Sequence, residues 1–228
     1  MGLINDYMMV GLTMGVYYCA VKLQRRCGGN LLLNPILISI VVIVAVLTLT
    51  GLPYSSYENA GNMIMWWMQP AIVALAWPLC EYWDIIRREA LPIVLSQILG
   101  AVTGILSVII VARLMGGSDM AVVSMVSKSV TMPIALAVSE SLGGELPLTS
   151  IVVIFTGLLG ALTGGILMTR LGFRDASSRG LAIGAASHAI GTAACYGESD
   201  TAGVYSTIAM ILNGVITACL APWLVGLW

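Results

Sequence analysis

The stretch "LLLNPILISIVVIVAVLTLTGL", residues 31–52, contains no charged side chain. About 20 apolar residues in a helix cross the ~30 Å hydrocarbon core of a bilayer. In lipid the backbone must satisfy its own hydrogen bonds, so such a stretch is either a helix or part of a closed barrel. Barrel strands run ~10 residues and alternate apolar with polar. The continuous aliphatic run, matched by "VYSTIAMILNGVITACLAPWLVGLW" at residues 204–228, excludes the barrel. Composition agrees, since 59% of the 228 residues are hydrophobic and 9% charged, against about 25% charged in soluble domains. The chain is expected to be an all-α polytopic membrane protein, with residues 1–228 forming a single membrane domain.

Hydropathy and charged breaks divide the sequence into eight apolar segments, at residues 7–21, 33–52, 63–83, 91–115, 120–139, 146–171, 181–196 and 203–228. The first lacks the basic start of a cleaved leader and is expected to stay in place. Basic loops face the cytoplasm, and "KLQRR", "DIIRRE" and "RLGFRDASSR" qualify. The loops with Glu58, with Glu140 and Glu145, and with Glu198 and Asp200 are then expected outside. Segments six, seven and eight alternate as crossings on this scheme, which places the C-terminus in the cytoplasm. The fifth begins and ends outside, so it is expected to re-enter.

Shifted by 111 residues, "SIVVI" at 39–43 falls on "SIVVI" at 150–154, and "PAIVALAW" at 70–77 on "LAIGAASH" at 181–188. At that offset each basic loop of one half lies opposite an acidic loop of the other. Sign reversal of this kind is the mark of an inverted-topology repeat. Residues 1–116 and 117–228 are expected to be two such repeats. Each has about three crossings plus one re-entrant or irregular segment, with discontinuous helices at the site.

Polar groups inside these segments are the site candidates. Lys128 sits mid-segment among Ser127, Ser129 and Thr131. A lysine near the bilayer centre costs about 3 kcal/mol even on the lenient insertion scale, so it should face protein or water. Pro133 lacks an amide hydrogen and should break the helix near Thr131, exposing amides that suit a carboxylate beside Lys128. Snorkelling to the surface is the alternative for this lysine. His188, the single histidine, stands between Ser187 and Thr192 in a stretch of small residues. It either binds substrate or relays a proton, or it is a neutral ring bonded to a helix carbonyl. Further breaks are expected at Pro70 and Gly191, and the amides of Asn34, Gln69 and Asn213 serve the site or glue helices. "GLLGALTGG", residues 157–165, reads as a packing face. The five cysteines show no ligand spacing and read as reduced packing residues. No metal, organic cofactor, catalytic residue or nucleic-acid contact is expected, and an enzyme is not.

"SKSVTMPIALAVSESLGG", "GLLGALTG", "GLAIGAASHAIGTA" and "YSTIAMILNGVITACLAP", with "NPILIS" and "QPAIVALAWPL", together resemble the LrgB/CidB family over nearly the whole chain. Lys128, Ser129 and Pro133 match the family's usual "PKSVTTPIA", while Ser127 and Met132 replace a proline and a threonine. The resemblance implies a bacterial inner-membrane, multi-pass protein of one of two kinds. One is a holin/antiholin-like modulator of murein hydrolase export and lysis, with a smaller LrgA/CidA-type partner. The other is a carrier of small carboxylates, as relatives are implicated in pyruvate uptake and a similar chloroplast protein moves glycolate and glycerate. The expected function is secondary transport of glycolate, lactate or pyruvate, coupled to a proton or sodium ion, by a homodimer in the lipid bilayer. Lys128, Ser129 and Thr131 would take the carboxylate, and Ser187, His188, Thr192, Asn34 and Gln69 the remainder.

Overall fold

A computed structural model describes residues 2–28, 33–67, 70, 73–74 and 76–227. Every regular element among them is helical. The chain divides into two compact units, residues 1–71 and 72–228. In the first, α1 (Gly2–Arg26) packs on α2 (Pro35–Thr50) and α3 (Ser55–Trp66). Thr13 and Tyr57 share a hydrogen bond of 3.0 Å between α1 and α3. Asn34 caps α2, its Oδ1 accepting from the Ile36 amide at 2.9 Å, with Pro35 at the first helical position. That use suits proline, whose missing N–H costs nothing there.

The second unit comprises α4 (Ala76–Glu81), α5 (Trp83–Arg88), α6 (Ala90–Leu114), α7 (Asp119–Met125), α8 (Met132–Ser141), α9 (Leu146–Arg170), α10 (Ala176–Glu198) and α11 (Asp200–Gly226). Three of the described helices, α6, α9 and α11, are long and apolar enough to cross a membrane, and α2 is a shorter apolar helix. The chain is therefore a multi-pass membrane protein. Helices α6 and α11 run in parallel: Tyr205 near the start of α11 donates to Glu89 just before α6 at 2.9 Å, and Ile109, Ala112 and Ala221 share one core near their ends.

Between these crossings lie two helical hairpins. The fifth apolar segment is one: α7 and α8, about 10 and 15 Å long, are each too short to span. Ser127 Oγ donates to the Ala135 carbonyl at 3.2 Å. Thr149 of α9 ties the open end, its hydroxyl donating to the Ser124 carbonyl at 2.9 Å and sharing a 2.7 Å contact with Ser139 Oγ. The segment thus doubles back on itself, with residues 126–131 as its tip.

The seventh segment departs from the expected crossing, because α10 folds back at His188, whose φ of 43° and ψ of −141° are not helical. In a straight helix Arg179 and Glu198, 19 residues apart, would stand ~28 Å from each other. Instead Arg179 Nε and Nη2 donate to the two Glu198 oxygens at 3.0 and 2.9 Å. Legs 176–187 and 189–198 are therefore antiparallel, and Ile183 and Cys195 share a core between them. Gly191, expected as the break, lies three residues beyond it, where a Cβ would stand 2.5 Å from that of Ser187. Small residues permit so sharp a reversal. A charge-based scheme could not detect it, since a crossing and a hairpin both join two polar loops. Both ends of α10 consequently lie at one end of the unit, with the start of α11, and the end of α11 lies at the other.

Two further expectations need adjustment. The 111-residue offset sets the broken fifth segment over residues 9–28, where α1 is unbroken to Arg26. Residues 68, 69, 71, 72 and 75 lie outside the described residues, so Gln69 and the neighbourhood of Pro70 do too. Of the five free cysteines, Cys195 alone is buried and the other four are exposed.

Asp175 caps α10, accepting from the Ser178 amide and hydroxyl at 2.8 Å and from the Ser177 hydroxyl at 2.5 Å. These bonds lower its pKa to about 2. A carboxyl depressed below its unfolded ~3.9 stabilises fully above that value and loses the contribution as pH falls toward 2. Asp175→Ala should lower the thermal midpoint at pH 7, and the gap to the parent protein should narrow below pH ~4. A gap constant from pH 7 to 3 would contradict the cap.

Candidate anion site between two helical hairpins

The hairpin tips converge on one cavity of about 1130 Å³, lined by residues of α6, the α7–α8 tip, α9 and the first leg of α10. Lys128 and Ser129 come from one tip and Ser187 from the other. Lys128 Nζ donates to Ser129 Oγ at 3.4 Å, and among the described residues no carboxylate lines the cavity. Its charge is therefore left for something that enters. Thr131 is the N-cap of α8, yet its side chain makes no capping bond and its buried Oγ1 has no partner. Pro133 lies in the first turn of α8 and starts that helix.

His188 makes the carbonyl contact of its packing alternative. Its ring is buried, with Nε2 2.9 Å from the Val153 carbonyl of α9, and it does not line the cavity. Thr192 Oγ1 donates to the His188 carbonyl and shares a 2.9 Å hydrogen bond with Ser206 Oγ of α11. It holds the second leg of α10 in place. Asn34 serves as a helix cap in the first unit.

The glycines of α9 explain how a hairpin fits beside a crossing helix. A Cβ on Gly157 would stand 2.5 Å from the His188 ring, one on Gly160 would overlap the Ser187 hydroxyl, and one on Gly164 would stand 3.2 Å from Ile183. The face read in "GLLGALTGG" is thus the groove that receives the first leg of α10.

Sequence reasoning missed several polar residues that line the cavity, among them Gln97, Thr103, Ser107 and Thr156. Gln97 carried a usable signal, as an amide inside the apolar run "LPIVLSQILGAV". The hydroxyls carried none, because serine and threonine in such helices commonly bond the preceding turn, as Thr103 and Ser107 also do. No group of three or more His, Cys, Asp or Glu able to hold a metal occurs among the described residues.

Comparison with known proteins gives the chain its relatives. The LrgB-like family matches over residues 13–227. The "Uncharacterized protein YwbG" of Bacillus subtilis is 34% identical over 213 residues, covering 93% of this chain and 94% of that protein. The "Holin-like protein CidB" of Staphylococcus epidermidis is 34% identical over 225 residues, 97% of this chain and 98% of its own. Its Staphylococcus aureus namesake is 33% identical over the same length and shares. No solved structure matches. On a match that covers nearly every residue of these helices and hairpins, the chain belongs to the LrgB-like family.

Proposed function

We propose that this protein is a secondary transporter of small monocarboxylates of the glycolate, lactate or pyruvate type, working in a bacterial inner membrane. One observation carries the reading: two helical hairpins from opposite ends of the bundle bring Lys128, Ser129 and Ser187 onto one acid-free cavity. Discontinuous helices meeting at mid-membrane are how many secondary transporters build a substrate site. Lys128 neutralises the carboxylate, Ser129 donates a hydrogen bond to it, and Ser187 contacts the other end of the molecule, while Thr131, expected with them, does not line the cavity. The 111-residue offset superposes the starts of α2 at Pro35 and α9 at Leu146, which speaks for a repeat. It also superposes α6 on α11, and because those two run parallel the match does not support inversion, which requires equivalent helices to run antiparallel.

Sidedness follows from the arginines. Arg87, Arg88, Arg170, Arg174 and Arg179 gather at the end of the unit where α6 and α11 begin, and Arg113 stands at the other. The arginine-rich end is cytoplasmic by the positive-inside rule. Because α10 returns to that end, α11 leads outward and the C-terminus lies on the outer face, the reverse of the sequence expectation.

The holin-like names of the two staphylococcal relatives speak for a second reading, and more directly than for the first: a holin-like membrane protein, which by the family resemblance would modulate murein hydrolase export and lysis with an LrgA/CidA-type partner. That role rests on assembly surfaces and requires no lone lysine in a cavity. Uptake of labelled glycolate, lactate and pyruvate into proteoliposomes separates the two. Saturable uptake of at least one is expected; none, by monodisperse protein, sinks the transport reading.

A further inference from the structure

Three buried side-chain oxygens have no hydrogen-bond partner among the described residues: Gln97 Oε1, Thr131 Oγ1 and Asn213 Oδ1. Their residues are 1%, 6% and 1% exposed. Leaving a buried polar atom unpaired costs roughly 1–3 kcal/mol, and three in one unit call for a common cause. Two are amide oxygens whose –NH₂ groups are already engaged. Gln97 Nε2 donates to Ser96 Oγ at 3.2 Å, and Asn213 Nδ2 donates to the Ala185 carbonyl at 2.9 Å. Each amide oxygen therefore keeps its lone pairs unshared.

The three belong to one neighbourhood. Ala185, which Asn213 holds, faces α6 one turn from Gln97, as a Cβ on Gly100 would lie 3.6 Å from the Ala185 methyl. Gly214, next to Asn213, faces the first turn of α8, as a Cβ there would lie 2.8 Å from Ile134 Cδ1. Thr131 caps that same turn. Gln97, the Asn213–Ala185 contact and the first turn of α8 thus border one region where the two hairpin tips meet α6 and α11, and Gln97 also lines the cavity of Lys128.

Neutral oxygens without a carboxylate select against divalent ions, which are held by carboxylates, and against soft metals, which want sulfur or imidazole. We infer that Gln97 Oε1, Asn213 Oδ1 and Thr131 Oγ1 form a binding site for a monovalent cation of sodium's size. The inference deepens the transport reading and rests on it for the role of the ion, though the ion's binding is measurable by itself. With Lys128 and the positive end of α8 nearby, the cation binds better once a carboxylate is present. By linkage the carboxylate then binds better with the cation.

The test is thermal unfolding of the purified full-length protein in detergent, titrated with sodium chloride against choline chloride at constant ionic strength, with and without glycolate, lactate or pyruvate. Sodium is expected to raise the midpoint by several degrees over choline, and more with carboxylate. Gln97→Leu should abolish the sodium-specific shift, whereas Gln97→Glu, which keeps an oxygen and adds charge, should shift the response to lower sodium concentration. No difference between sodium and choline in either arm overturns the cation site, and so does an unchanged sodium shift in Gln97→Leu. A carboxylate shift without any sodium shift removes the site but leaves the transport reading standing. A sodium shift without carboxylate effect or uptake keeps the site and removes that reading.

Discussion

Gly184→Val is expected to reduce the yield of monodisperse protein at least tenfold, with Gly184→Ala intermediate. A Cβ at this position would overlap the Ser206 carbonyl oxygen and stand 2.8 Å from the Ser206 Cα. Both atoms belong to the backbone of α11, so no rotamer change relieves them. Overpacking costs typically 1–3 kcal/mol even where side chains can yield, and a valine in backbone contact exceeds that range. The comparison is Gly197→Ala, where nothing lies within 4 Å and helix propensity favours alanine by up to about 1 kcal/mol. Fluorescence-detected size-exclusion profiles and thermal midpoints check the set. Equal behaviour of the Gly184 and Gly197 variants would mean that α10 and α11 are not in backbone contact.

Lys128→Gln should lower kcat/KM for carboxylate uptake at least 100-fold while leaving the thermal midpoint nearly unchanged. Removing one partner of a buried, hydrogen-bonded charge pair costs about 2–5 kcal/mol, most of it from stranding the other charge, and 100-fold is about 2.8 kcal/mol. The lysine has no acidic partner in the cavity, so its loss strands a charge only when substrate is bound. His188→Ala should do the opposite, lowering the midpoint by freeing the Val153 carbonyl and relaxing the tip of α10, with a smaller effect on KM. Uptake whose pH dependence vanished in His188→Ala, at an unchanged midpoint, would restore the proton-relay role. Uptake in Lys128→Gln equal to that of the parent protein would take the carboxylate away from Lys128.

Helices and the first hairpin were legible because their causes are local. Continuous apolar runs fix α6, α9 and α11, and a lysine followed by Pro133 marks a place where a helix cannot pass through lipid. The second hairpin was not legible, because its reversal rests on partners distant in sequence. The glycines of α9, the backbone of α11 at Ser206 and the Arg179–Glu198 pair hold a turn that His188, the one described non-glycine residue with positive φ, makes at some strain. Reading that one segment as a crossing also set the expected side of the C-terminus. Of the candidate site, Lys128 and Ser129 line the cavity as the residue types suggested. Gln97 was legible too, as an amide inside the apolar run of α6, whereas the hydroxyls beside it were not.

Reversal of α10 also dictates an order of assembly. Neither leg can span a bilayer, so residues 176–198 have no stable position in lipid by themselves. Their seat is a slot between α9, made before them by the ribosome, and α11, made after. Until α11 arrives, the polar tip holding Ser187 and His188 has one wall of its slot and lacks the other. A chain built this way seats its second hairpin only when its last helix is in the membrane, so a stop early in α11, before Ser206, leaves α10 without the backbone it packs against.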